Sequence, residues 1–399
     1  MVARRLHHGR VWWRRAAGVL ILAVCAGTAG VHAQDRDEAA AAEPRAASAA
    51  VSGTYDDGFL LTPATDRFSV KLNGFVQARF TAVTPESGDR HDTFDLALGR
   101  VAVSGSAFGP QVSYLFQVET TTFGNSNGVS LLDGWVQYTA SPRFMVRAGR
   151  ILLPYSRQFY THPGMLLFAD LSATDYAFNL PRSVGVHVGG KARRVSYDLA
   201  VANSVRALDA SGQQNRGEAL ALVGRVEVDL LRSYGYLESA PAGDAAPQLS
   251  VGAAAAYNPV ASSSVVQHAR AGDDTTGVTL DAGWRWQRLS AQGAFHLRRT
   301  QPQADALPTR DDRGGYVQAG LFVVPQTWEL AGRVSTVRIG EEATDLAGDD
   351  VLEYSGGVNR YLHGHHVKVQ ADYSYIRREP GVGRPSGDHR ARAQFQLLF

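Results

Sequence analysis

From Arg67 onward, apolar and polar residues alternate with a period of two, the pattern of strands with one greasy and one wet face. In the first such run Phe68, Val70, Leu72, Val76, Ala78 and Phe80 alternate with Ser69, Lys71, Asn73, Gln77 and Arg79. A second, near Thr93 to Ala107, begins on Phe94, Leu96 and Leu98 and then shifts to Val101 and Val103, which predicts a β-bulge near Gly99-Arg100. The last ten residues set Ala391, Ala393, Phe395, Leu397 and Phe399 against Arg390, Arg392, Gln394 and Gln396. Such a strand fits a wall between lipid and water, as in a transmembrane β-barrel, or the edge of a soluble sandwich.

The connections separate these readings. Phe108-Gly109-Pro110, Ser141-Pro142-Arg143, Arg193-Arg194, Gln287-Arg288 and Pro325-Gln326-Thr327 are tight, and the connections between them are long and polar. Alternation stops over Ile151 to Pro181, the third long loop. Five strands precede it and eleven follow, predicting a 16-stranded antiparallel transmembrane β-barrel over residues 66–399, with both ends of the wall on one side of the membrane. Phe108, Tyr138, Phe144, Trp284, Trp286, Trp328 and Phe399 lie beside the tight turns, as expected for an interfacial aromatic belt. The connection Arg232 to Pro247 is longer than a tight turn, and nothing in its sequence says why.

The N-terminus adds a compartment. Arg4, Arg5, Arg10, Arg14 and Arg15 precede an apolar run from Ala16 to Ala26 and then Val31-His32-Ala33, the layout of a secretory signal peptide over residues 1–33. The run is too short for a membrane helix. Val24 fits a lipoprotein motif before Cys25 poorly. Residues 34–65 read as a flexible periplasmic lead-in, rich in Ala, Asp and Glu up to residue 58. Cleavage removes five of the 40 basic residues, none of the 38 acidic ones, and the single cysteine, so the mature chain stands near −3. That balance favours neither nucleic acid nor any anionic ligand, and neither disulfides nor thiolate metal sites hold the fold.

Five motifs in this order carry a family resemblance: Leu72-Asn73-Gly74-Phe75; Val146-Arg147-Ala148-Gly149-Arg150 running into Leu153-Pro154-Tyr155-Ser156-Arg157; Arg182-Ser183-Val184-Gly185-Val186; Trp328-Glu329-Leu330-Ala331-Gly332-Arg333; and Gly357-Val358-Asn359-Arg360-Tyr361-Leu362. Together they resemble the phosphate-selective porins O and P over roughly residues 66–399. The resemblance implies a homotrimeric channel in the outer membrane of a Gram-negative bacterium, passing small inorganic anions such as phosphate or polyphosphate, with the third loop folded into the lumen and no cofactor. The chain departs from a lysine-rich lumen, having only Lys71, Lys191 and Lys368. Arginine offers phosphate a bidentate fork instead.

If apolar residues face lipid, the lumen receives Lys71, Arg79, Arg147, Lys191, Arg225, Arg285, Arg298, Arg333, Lys368, Arg390 and Arg392. It also receives Glu119, Asp133, Asp198, Glu227, Asp229, Asp281, Glu329, Glu353 and Asp372. The near balance keeps a general or cation-leaning pore open, and pairing is the plain alternative to ion binding for each arginine, above all for Arg333 with Glu329. Arg147, Arg150, Arg157 and Arg182 flank the third loop and stand first as anion-binding residues; Lys191, Arg79, Lys71 and Arg333 complete the set. His363, His365 and His366 invite a metal, but two of them sit in a turn and a site needs more convergent ligands. Asp273-Asp274, Asp311-Asp312, Glu341-Glu342 and Asp349-Asp350 offer bridges to lipopolysaccharide through divalent cations, or simply solvated loop charge. A lipase or protease on a barrel wall would need a nucleophile elbow or similar motif; none appears, so the reading is a channel and not an enzyme.

Overall fold

The computed structural model describes residues 51–55, 58–63, 67–121, 128–205, 219–240, 244–261, 273–302, 308–340, 350–380 and 384–399. The signal-peptide reading of residues 1–33, the acidic pair Glu341-Glu342 and Asp349 of the next pair lie outside the described residues.

Two short strands, β1 (Val51–Tyr55) and β2 (Phe59–Pro63), form a hairpin. The wall then begins with β3 (Val70–Pro85), β4 (His91–Ser106), β5 (Val112–Thr121), β6 (Gly128–Ser141) and β7 (Phe144–Leu152). After the segment that bears helices α1 (Arg157–Tyr160) and α2 (Ala173–Phe178) come β8 (Arg182–Ala192), β9 (Val195–Asn203), β10 (Leu220–Asp229) and β11 (Asp244–Ala261). There follow β12 (Asp273–Gln287), β13 (Leu289–Gln301), β14 (Arg310–Val324) and β15 (Trp328–Arg338). The last three are β16 (Asp350–His363), β17 (Val367–Glu379) and β18 (Ser386–Leu398).

Each strand from β3 to β18 pairs antiparallel with the next, and β18 pairs back onto β3, which closes a barrel of sixteen strands. Five wall strands precede the long helical segment and eleven follow it, as the alternation predicts. No helix among the described residues is long and apolar enough to cross a membrane. Four residues at the tight turns, Phe108, Arg193, Gln287 and Gln326, adopt positive φ between 53° and 63°, the left-handed geometry that reverses a chain within two or three residues.

Alternation sorts the side chains by solvent in an inverted sense. On β13, Ser290, Gln292, His296, Arg298 and Thr300 are buried, while Leu289, Phe295 and Leu297 are exposed. A wall with apolar side chains outside and polar ones enclosed matches lipid on its outer surface.

Two expectations shift. The bulge lies at Ala97, between the Gln77–Leu98 and Ala78–Leu96 pairings, two residues before Gly99. Within the lead-in of residues 34–65, read as flexible, Val51–Tyr55 and Phe59–Pro63 are instead paired strands, and β2 also pairs with Val70, Lys71 and Leu72 of β3. Phe399 closes the seam beside it: its backbone exchanges hydrogen bonds with Gly74 (2.7 and 2.9 Å), and its ring fills the space where a Cβ on residue 74 would stand.

Candidate functional site

Residues 153–181, between β7 and β8, hold most of the buried apolar side chains that do not belong to strands, including Leu153, Tyr155, Leu166, Leu167, Phe168 and Phe178. A buried loop has many backbone groups to satisfy, and the polar face of the wall satisfies them. Ala169 N–H donates to Asp372 (3.0 Å) and Ala173 N–H to Glu353 (2.9 Å). Thr174 N–H donates to the Ser335 hydroxyl (2.9 Å). In the opposite sense, Lys368 Nζ donates to the carbonyls of Gly164 and Leu166 (3.1 and 3.0 Å), Asn359 to Leu167 (2.9 Å), Arg333 to Asp170 (2.9 Å) and Arg298 to Ala177 (2.8 Å). Inside the segment, Ser156 and Ser172 cap α1 and α2 by accepting from Phe159 and Asp175 N–H. Ser156 also donates to Asp175, whose carboxyl is pushed up to about 7 by burial.

The strands from β10 onward carry interior charges in matched sets. Arg225 reaches Asp281 with two bonds (2.6 and 2.9 Å), and Arg157 of α1 reaches the same carboxylate at 2.6 Å and Glu227 at 2.9 Å. Strand register sets other pairs directly opposite one another: Arg298 with Asp312 (2.8 Å) and Arg392 with Asp372 (2.7 Å). Arg333 pairs with Glu353 (2.8 Å) across two strands and not with Glu329, which accepts from Tyr361 (2.6 Å) and Asn359 (3.2 Å).

The strands from β3 to β8 differ. A cavity of about 280 Å³ opens between them and the segment, with Arg79, Arg100 and Arg182 on the strand side and Tyr160, His162 and Asp170 on the other. Arg100 pairs with Glu119 (2.5 Å), Arg182 with Asp133 (2.9 Å), and Arg79 touches Asp170 at 3.4 Å. Beside them on β7, Arg147 and Arg150 have no carboxylate partner among the described residues. Arg147 bonds the Gln137 amide oxygen (2.9 and 2.7 Å) and lies 4.1 Å from the centre of the Trp135 ring. Arg150 donates to the carbonyls of Leu131 and Leu132, both at 2.9 Å. His162 adds no charge: burial, with Arg100 and Arg182 nearby, lowers its pKa to about 3.

Of the arginines and lysines singled out from sequence, Arg79 and Arg182 meet at the cavity and Arg147 and Arg150 stand on the same wall. Arg157 and Arg333 sit inside ion pairs, Lys191 is bound to Asp229 (2.6 Å) near the tight turn after β8, and Lys71 lies at the foot of β3 beside β2. Arg100 and Asp170 complete the cavity and were not among them. The shift of alternation beside Gly99 was the one signal that pointed toward Arg100. His365 bonds Ser239 (3.0 Å) and Gly164 (3.1 Å), and His366 bonds Leu398 (3.0 Å). Among the described residues no group of His, Cys, Asp or Glu is arranged to hold a metal.

A polar-lined, closed sixteen-strand barrel with an arginine-rich cavity is the setting in which the family comparison decides. The family model for phosphate-selective porin O and P matches residues 70–399. The chain belongs to that family. It is therefore an outer-membrane channel protein of the kind found in Gram-negative bacteria. Solved structures agree on the fold. The chain is similar to an anion-selective porin from Comamonas acidovorans (14% identity, TM-score 0.56, covering 83% of this chain and 100% of that one). It is also similar to the outer membrane channel DcaP of Acinetobacter baumannii (11%, 0.56, 83% and 97%) and to Salmonella typhi OmpF in complex with daunomycin (12%, 0.56, 87% and 100%). No individual curated protein sequence matches the chain.

Proposed function

We propose that this porin passes small inorganic anions, phosphate and polyphosphate among them, by passive diffusion along the β3–β8 side of its lumen. In this reading residues 153–181 fold inward and narrow the channel against an arginine wall. The contacts of that segment with the enclosed polar face of β3, β10 and β12 to β18 support the inward fold. The observation that carries the anion preference is the pair Arg147 and Arg150, cations held by uncharged partners beside three further arginines whose carboxylates balance them. An uncompensated positive wall in a confined pore favours anions. The anion-selective porin with the same fold and the family's own description point the same way.

The same reading includes cleavage of a signal peptide after about residue 33, a homotrimer, and lipopolysaccharide at the acidic outer loops. A second reading, a general or cation-leaning pore, draws on Asp170, whose side chain is 48% exposed at the cavity. Reversal potential across a potassium chloride gradient in a planar bilayer separates them. The anion reading expects the sign set by chloride, and phosphate added to one side should reduce the chloride current; a potassium-signed potential defeats it.

A further inference from the structure

In the connection between β10 and β11, whose length the sequence leaves unexplained, residues 231–240 leave the wall at the end of the tight turns and turn back into the barrel. Tyr234, Glu238, Ser239 and Ala240 are buried to 3% exposure or less. Arg285 on β12 clamps the returning backbone, donating to the carbonyls of Tyr234 (2.8 Å), Leu237 (2.7 Å) and Ser239 (3.3 Å). The Tyr234 ring lies over Gly283, where a Cβ would stand 2.4 Å from it, so β12 leaves a hollow for that ring.

At its tip the connection meets the 153–181 segment, which enters from the end of the long loops. Glu238 N–H donates to Met165 O (3.3 Å), and its carboxylate accepts from Leu167 N–H (2.7 Å), Gln158 (2.9 Å) and Gln292 of β13 (3.1 Å). Three donors, two from the 153–181 segment and one from the wall, on a carboxylate with no cation partner among the described residues make Glu238 the joint between the connection, that segment and β13.

We propose that residues 234–240 of the β10–β11 connection form an internal plug, with Glu238 as its positioning residue, which fills the β10–β13 side of the lumen, fixes the edge of the 153–181 segment and confines ion flow to the β3–β8 side. The proposal rests on the reading of the lumen as the ion path. Its direct test replaces Tyr234–Ala240 by Gly-Gly in the full chain, with Cys25 changed to Ser and a reporter thiol at Ser250→Cys, a fully buried position whose hydroxyl accepts from Tyr234 N–H (3.0 Å). With the native connection the thiol resists a water-soluble maleimide. Without it, the thiol is labelled and single-channel conductance rises roughly twofold, since current scales with open cross-section.

If the replacement fails to fold, judged by loss of the heat-modifiable band, point variants decide. Glu238→Ala raises conductance, and Glu238→Gln, which keeps an acceptor for Leu167 N–H, holds the native step. Unchanged conductance and labelling in a folded replacement, or an unchanged step in Glu238→Ala, overturns the plug. A cation-signed reversal potential in the unmodified channel with these changes intact overturns the anion reading alone.

Discussion

The two sides of the lumen are built from the same residue types and put to different uses. From β10 to β18, interior arginines meet carboxylates or backbone carbonyls at 2.6–2.8 Å, and Arg298 also holds the Ala177 carbonyl of the segment between β7 and β8. From β3 to β8, Arg79, Arg100 and Arg182 stand around a cavity, each beside one carboxylate, and Arg147 and Arg150 on β7 next to it have no carboxylate partner among the described residues. The difference teaches that charge content alone does not locate an ion path. What matters is whether a guanidinium's charge is already balanced by a carboxylate, and that is decided by register and by what the loops press against it.

The sharpest way to break this contrast is to neutralise charge on the crowded side. Asp281→Ala leaves Arg157 and Arg225 buried with only Glu227 of their two shared carboxylates, and removal of one member of such a network costs about 3–5 kcal/mol. The measurement is the urea midpoint of the heat-modifiable band, and a midpoint within error of the parent would show that this side is not what holds the interior. On the open side the effect is on selectivity instead. Arg147→Gln with Arg150→Gln should leave that midpoint nearly unchanged and lower the anion-to-cation permeability ratio. Coulomb's law gives about 1 kcal/mol per charge at roughly 8 Å in a medium of dielectric about 40, hence roughly fivefold each. Glu119→Gln, which strips Arg100 of its carboxylate, should move the ratio toward anions by a smaller factor on the same scale. Reversal potentials read both, and a shift of the wrong sign in either would dissolve the contrast.

The smallest expected effect is a pH dependence in the loop. Because burial raises the Asp175 carboxyl to about 7, its contribution to loop stability is complete below the ordinary carboxylate range and is lost as pH rises through 7. Current fluctuations should therefore grow between pH 5 and pH 8. Asp175→Asn, which keeps an acceptor for Ser156, should flatten that dependence.

The wall was legible because lipid outside and polar groups inside impose strict alternation, so Phe94, Val101 and Phe395 announced their face by sequence position alone. The tight turns were legible for a related reason, since two- or three-residue reversals leave so little sequence between strands. The site was legible only in outline. Arg147, Arg150 and Arg157 look alike in sequence, yet a ring, two carbonyls and two carboxylates receive them, partners that lie up to 124 residues away in the chain. Arg100 escaped because the bulge at Ala97 breaks the alternation just before it. The returning β10–β11 connection escaped because it has no periodicity of its own, so no local pattern records that Tyr234 meets Gly283 of β12 or that Glu238 meets the 153–181 segment.

One consequence of Arg147 on its indole ring and Arg150 on its two carbonyls concerns electrical noise. Fixed charge in many pores flickers because a carboxylate gains and loses protons within the recording window. A guanidinium stays protonated throughout the physiological range, and here neither anchor titrates. The field of these two guanidiniums is therefore constant in time as well as in sign, and they add no proton-exchange noise of their own to the open-channel current, which leaves Asp175 as the source of its pH-dependent part.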